Sequence, residues 1–231
     1  MKLCYYLYFF YTANLLLLIS CGHRPNDSAT TETDTTAFME DTWRDTLFVS
    51  MPIPPSVEAR MRGVSYPANE DIELKDLRYL RLSYVDFDGK EKNGEMICNQ
   101  LIADEVLDIF RELYIAQYPI RSIRLIDDFG GSDEASMEAD NTSCFFYRPI
   151  TGGSSLSKHA LGLAIDVNPL ENPYIKGGKV LPKNAIDYVD RKQIFPHKID
   201  REDLCYALFT SHGFSWGGNW RSLKDYQHFE K

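Results

Sequence analysis

Apolar and polar positions change period several times along this chain, and each change predicts an element. Tyr79 to Phe87 alternates around Leu80, Leu82 and Tyr84, Asp88-Gly89 and Asn93-Gly94 follow, and the pattern resumes at Glu95 to Cys98. This predicts a hairpin with an extended loop. Ile102, Val106, Ile109, Phe110 and Leu113 then recur at helical spacing, with Asn99 available as cap, Asp104 and Glu105 in the first turn and Pro119 as stop. Arg121 to Ile126 and Ser143 to Arg148 read as strands on either side of a polar, glycine-containing loop from Asp127 to Asn141. Asn168 to Asp200 contains Pro169, Pro173, Pro182 and Pro196 and has no clear period, so it is expected to be an excursion near the site rather than a domain boundary. Asp200 is expected to cap a helix through Leu204, Leu208 and Phe209 that Gly213 ends, and Phe214 to Trp216 and Gln227 to Glu230 close the chain as short strands. Strands and helices in no repeating order predict an α+β fold, a small antiparallel sheet with flanking helices.

The N-terminus differs in kind. One early positive charge at Lys2 precedes an aromatic and leucine-rich run that ends at Ile19-Ser20-Cys21, the parts of a secretory signal. Leu18-Ile19-Ser20-Cys21 resembles the lipobox of bacterial lipoproteins, which implies removal of residues 1–20, lipidation of Cys21 and tethering to a membrane of the bacterial cell envelope. Residues 21–46 are rich in Thr, Asp, Ser, Asn and Pro and too poor in large apolar side chains to bury a core, so they read as a spacer. Residues 47–231 then make one domain of ample apolar content. The formal net charge of -9 argues against nucleic acid as a partner, because phosphate binding needs clustered Lys and Arg. Cys98, Cys144 and Cys205 are odd in number and lack CxxC spacing, which supports neither a disulfide framework nor a thiolate metal site.

The chemistry concentrates in two stretches. In the first, Ser157-Lys-His159-Ala-Leu-Gly162-Leu-Ala164-Ile-Asp166, the greasy positions Leu163, Ile165 and Val167 alternate with Ala164 and Asp166. A strand here places the carboxylate beside a small residue, and Gly162 permits the bend that returns His159 toward Asp166. The second stretch runs from Trp216-Gly-Gly-Asn-Trp220 to Asp225-Tyr-Gln-His228-Phe. Two imidazoles and one carboxylate, with a fourth position open to water, make a catalytic rather than structural Zn2+ set, and Asp225 is left over as a general base. His197 and His212 have no partner at ligand spacing.

Together these stretches resemble the M15 family of zinc D-alanyl-D-alanine carboxypeptidases and L-alanyl-D-glutamate endopeptidases, over roughly residues 100–230. The resemblance implies that His159, Asp166 and His228 bind zinc and that Asp225 is the base. It implies that Arg148 stabilises the oxyanion, that Ser157 binds substrate or orients the site, and that the substrate is a peptidoglycan stem peptide; Trp216 and Trp220, read from their aromatic character alone, either line a substrate groove or belong to the core. The same fold resembles the signalling domain of hedgehog proteins, so a non-catalytic, zinc-containing wall-binding lipoprotein is the competing expectation. Asp225, three residues before His228, is the feature that separates the two.

Overall fold

The computed structural model describes residues 47–68, 71–150 and 155–231. The expected signal, Cys21 and the spacer lie outside the described residues. Among the described residues no helix is long and apolar enough to cross a membrane.

Strand β1 (Phe48–Met51), β2 (Leu77–Val85) and β3 (Glu91–Asn99) form an antiparallel sheet in that order. The alternation around Leu80 and Leu82 is the buried face of β2, both residues being almost fully buried. The hairpin loop is Asp86 to Lys90, closed by Asp86 Oδ1, which accepts from the backbone N–H of Asp88 and Lys90. Asn93-Gly94 is therefore not a turn; it sits inside β3 opposite Ser83 and Leu82. After α1 (Pro55–Met61), the long helix is α2 (Ala103–Ile115), which buries Val106, Ile109, Phe110 and Leu113 against the sheet. Burying each such side chain is worth about 1.5–3 kcal/mol, against less than about 1 kcal/mol per residue of intrinsic propensity, so packing sets this helix. Asn99 precedes it by a turn rather than capping it: its Oδ1 accepts from Leu101 N–H, and its amide donates to the carbonyl of Leu161 beside the site.

The middle of the chain departs from expectation. Arg121 to Ile126 narrows to β4 (Ser122–Ile123), paired in parallel with β5 (Asn141–Thr142). The polar loop between them contains α3 (Asp133–Glu138), capped by Ser132, whose hydroxyl accepts from Ala135 N–H at 3.2 Å. Ser143 to Arg148 is extended but is not a strand. Its N–H groups go in turn to Asp166, Ile97, His159 and Ser65, four separate segments with no continuous partner. This ribbon stitches the N-terminal sheet to the site.

The proline-rich excursion also has structure. β7 (Tyr174–Lys176) and β8 (Lys179–Leu181) form a hairpin extended by β10 (Lys224–Asp225). Helix α4 (Leu204–Ser211) is capped by Asp203, which accepts from Cys205 N–H, while Asp200 closes the turn before it. A third sheet places β11 (His228–Glu230) between β6 (Ala164–Asp166) and β9 (Ser215–Trp216). The fold is thus α+β, built from several small, mainly antiparallel sheets instead of one. Cys98, Cys144 and Cys205 are free and buried.

Candidate metal centre and active site

The β6–β11 ladder assembles the site. Its register sets His228 opposite Asp166, Phe229 opposite Ile165 and Glu230 opposite Ala164. Because side chains alternate across a strand, Ile165 and Phe229 go into the core while Asp166, His228 and Glu230 share the other face. Both hydrophobic partners are fully buried, and Phe229 stacks on Phe209 with ring centroids 4.3 Å apart. A slip of one residue would exchange these faces, so core packing fixes the register.

His159 arrives from a 3-10 turn, Lys158–Leu161, immediately before β6. Ser157 caps it, its hydroxyl accepting from His159 N–H at 3.2 Å. Gly162 ends it with φ +67°, and an added Cβ there would lie 2.6 Å from Asn99 N, so both conformation and space demand glycine.

The three expected ligands meet. His159 Nε2 lies 3.2 Å from His228 Nδ1, His228 Nδ1 lies 3.0 Å from Asp166 Oδ1, and His159 Nε2 lies 3.3 Å from Asp166 Oδ2. The outer nitrogens determine which proton sits where. His159 Nδ1 is 2.7 Å from the carbonyl of Cys144, which can only accept, so Nδ1 carries the proton and Nε2 offers a lone pair. His228 Nε2 is 3.1 Å from Glu230 Oε2, so in the same way Nε2 carries the proton and Nδ1 turns its lone pair inward. Two lone pairs and a carboxylate pointed at one another call for a cation between them. Their separations also suit zinc: bonds of roughly 2.0–2.1 Å in a tetrahedron put ligand atoms about 3.3 Å apart. The residues fit the ion.

Electrostatics agree. Burial would push the Asp166 carboxyl up, but the two imidazoles outweigh it and hold the group well below the usual carboxylate range. Burial opposes a charge on His228, yet its hydrogen bonds to Asp166 and Glu230 prevail and raise it to about 10. Without an ion, a proton takes the cation's place. Metal and proton therefore compete for one position.

Asp225 lies on β10 in the same cavity, a space of about 290 Å3 also lined by Arg148, Ser157, Trp220 and Gln227. Burial drives its carboxyl up to about 7, and Gln227 donates to its Oδ1 at 3.3 Å. A bound dication would pull it back down. The backbone here is tight: a Cβ on Gly217 would sit 2.5 Å from Asp225 O, so the Trp-Gly-Gly stretch lets the chain pass against Asp225.

The remaining expected residues separate. Arg148 reaches the cavity but pairs with Asp133 through Nη2 at 2.9 Å, and its buried Nε has no partner among the described residues. Trp220 is half-buried at the cavity wall, its ring centroid 5.2 Å from that of His228. Ser157 lines the cavity, with its hydroxyl engaged in the cap just described. Trp216, read as lining a groove or belonging to the core, is not among the residues lining this cavity. It is 4% exposed, packs in the main core and donates through Nε1 to the carbonyl of Tyr226 at 2.8 Å, so it is a structural residue. Of the other histidines, His197 stacks on Phe87 at 3.6 Å and His212 terminates α4. Glu230 was not anticipated. Its signal was available, since a carboxylate two residues after a ligand on a strand shares that ligand's face.

Residues 151–231 match the family model described as D-alanyl-D-alanine carboxypeptidase. The matched segment holds His159, Asp166, Asp225 and His228 and begins just after Arg148, and it supports the resemblance to the M15 peptidases. Neither the curated proteins nor the solved structures gave a match.

Proposed function

We propose, from the M15 peptidase sequence that residues 151–231 carry, that this chain is a zinc metallopeptidase hydrolysing peptidoglycan stem peptides, foremost as a D-alanyl-D-alanine carboxypeptidase. The observation that carries the reading is the convergence of His159 Nε2, Asp166 and His228 Nδ1 within 3.0–3.3 Å of one another, with Asp225 spare in the same cavity. Zinc held by those three would supply Lewis-acid polarisation of the scissile carbonyl and acidify water. Asp225 takes up the proton of the attacking water and delivers it to the leaving amine, a transfer worth typically about 10²–10⁴-fold in rate. Arg148 offers guanidinium donors to the oxygen that becomes anionic. Trp220 provides an apolar wall against which the peptide lies, and Ser157 holds His159 in place.

An L-alanyl-D-glutamate endopeptidase is the second reading, favoured by the shorter Asp carboxylate at position 225 where some M15 members carry Glu. The chain's place is the cell envelope, with Cys21 as the lipidated tether; the lipobox-like sequence supports this part alone.

Incubating the zinc-loaded full-length protein with purified muropeptides, beside an Asp225→Ala control, tests the reading by mass spectrometry. Loss of one terminal D-alanine, absent in the control, is the expected result. Cleavage between L-alanine and D-glutamate moves the assignment to the endopeptidase. Intact muropeptides despite one zinc per chain would overturn the enzyme in favour of a wall-binding protein.

A further inference from the structure

His228 and Glu230 stand two residues apart on β11, on the face that carries Asp166. Across the ladder from Glu230 is Ala164, whose small side chain leaves the carboxylate room to fold back along the strand. Glu230 Oε2 then lies 3.1 Å from His228 Nε2, the nitrogen turned away from the ligand cluster. Nearby Lys158 does not claim this carboxylate; its ammonium donates instead to the Lys231 carbonyl at 3.2 Å.

We propose that Glu230 is a positioning residue for the metal centre, holding the Nε2–H of His228 so that Nδ1 is presented to the ion. The inference rests on the zinc site proposed above. An imidazole has two tautomers and can flip about its Cβ–Cγ bond, and only one of the resulting arrangements places a lone pair on Nδ1 toward Asp166 and His159. Each ligand histidine has an outer partner that selects that arrangement. For His159 it is the main-chain carbonyl of Cys144, 2.7 Å from Nδ1, which no side-chain substitution removes. For His228 it is Glu230, which the sequence can change. The two partners also differ in charge. A carboxylate polarises the imidazole more strongly than a carbonyl and makes its other nitrogen a better donor to a metal, and losing such a partner typically costs about 10–100-fold in metal affinity.

The test is chelator competition for zinc on the full-length chain, with cobalt absorption as a second readout, for wild type, Glu230→Ala and Glu230→Gln. Glu230→Ala is expected to bind about 10–100-fold more weakly, with an altered cobalt spectrum. Glu230→Gln keeps an oxygen that can accept from Nε2–H and is expected to recover most of the affinity. The metal-free fold, read by circular dichroism, should be retained in both variants. Equal affinity and identical cobalt spectra for wild type and Glu230→Ala would overturn the proposal. So would a loss that Glu230→Gln does not recover and that tracks loss of the metal-free fold. If wild type itself binds no zinc, the proposed metal site fails with it, whereas tight wild-type binding unaffected by Glu230→Ala fails this inference alone.

Discussion

Asp166 and the Asp140–Glu171 pair are both buried carboxyl sites, and they use their charge in opposite ways. At the His159–Asp166–His228 cluster, Asp166 lies between two imidazoles and is held well below the usual carboxylate range. On the turn between α3 and β5, buried Asp140 meets buried Glu171 instead of a base, and among the described residues no other group donates to Asp140 Oδ2 or Glu171 Oε2. Burial first, and then the neighbouring Asp140, raises Glu171 to about 8. The first arrangement stores a negative charge that needs a cation. The second shares a proton and ties the start of the excursion, where Leu170 N–H donates to Asp140 at 3.0 Å, to the turn before β5. Burial alone does not make a carboxylate functional; its partners decide between ion binding and structure.

Changing the cluster should have the largest effect. Asp166→Asn removes the anionic ligand and is expected to reduce bound zinc from one ion per chain to none, with muropeptide hydrolysis falling at least about a thousandfold because an open zinc site has no ligand to spare. Metal analysis after gel filtration checks this. Asp225→Ala should separate base from ligand: zinc content stays unchanged while kcat falls about 10²–10⁴-fold. Trp216→Ala should leave the ligand set intact and instead cost about 3–5 kcal/mol of stability, measured by denaturant unfolding, whereas Trp220→Ala should chiefly raise KM. The second carboxyl site should answer to pH. A folded-state pKa raised above its unfolded value means that the native protein keeps a proton the unfolded chain has lost. Stability therefore falls as pH rises through the interval from ordinary Glu ionisation up to about 8, the raised value of Glu171. One such group contributes a slope of about 1.4 kcal/mol per pH unit. Glu171→Gln should remove that slope without changing zinc content, and an unchanged stability–pH profile would contradict the shared proton.

Much of the site was legible because it rests on short-range rules. The alternation from Leu163 to Val167 placed Asp166 on the face away from the core, and Gly162 marked the bend that returns His159. The hairpin and the amphipathic stripe of α2 were readable from their periods. What escaped depended on partners distant in sequence. Ser143 to Arg148 has strand-like composition, but its hydrogen bonds scatter over four segments, and no local pattern encodes that. The hairpin of the excursion is the exception: Gly177-Gly178, both at positive φ, make the two-residue turn that pairs Lys176 with Lys179, a local signal, and β10, about fifty residues later, adds only to its edge. Trp216 and Trp220 look alike in sequence. Only the packing against Tyr206 and Tyr226 sends the first inward, while the second remains at the cavity.

The chemistry proposed for this protein turns on one position, the point between His159 Nε2, Asp166 and His228 Nδ1. Zinc-edge anomalous diffraction from crystals of the zinc-loaded protein tests it most directly. The predicted result is a single peak there, bound through those two nitrogens and the Asp166 carboxylate, with no fourth protein ligand. A zinc-loaded crystal with no peak at that point, or with the ion closed off by a fourth side chain, would contradict the catalytic centre proposed for this protein.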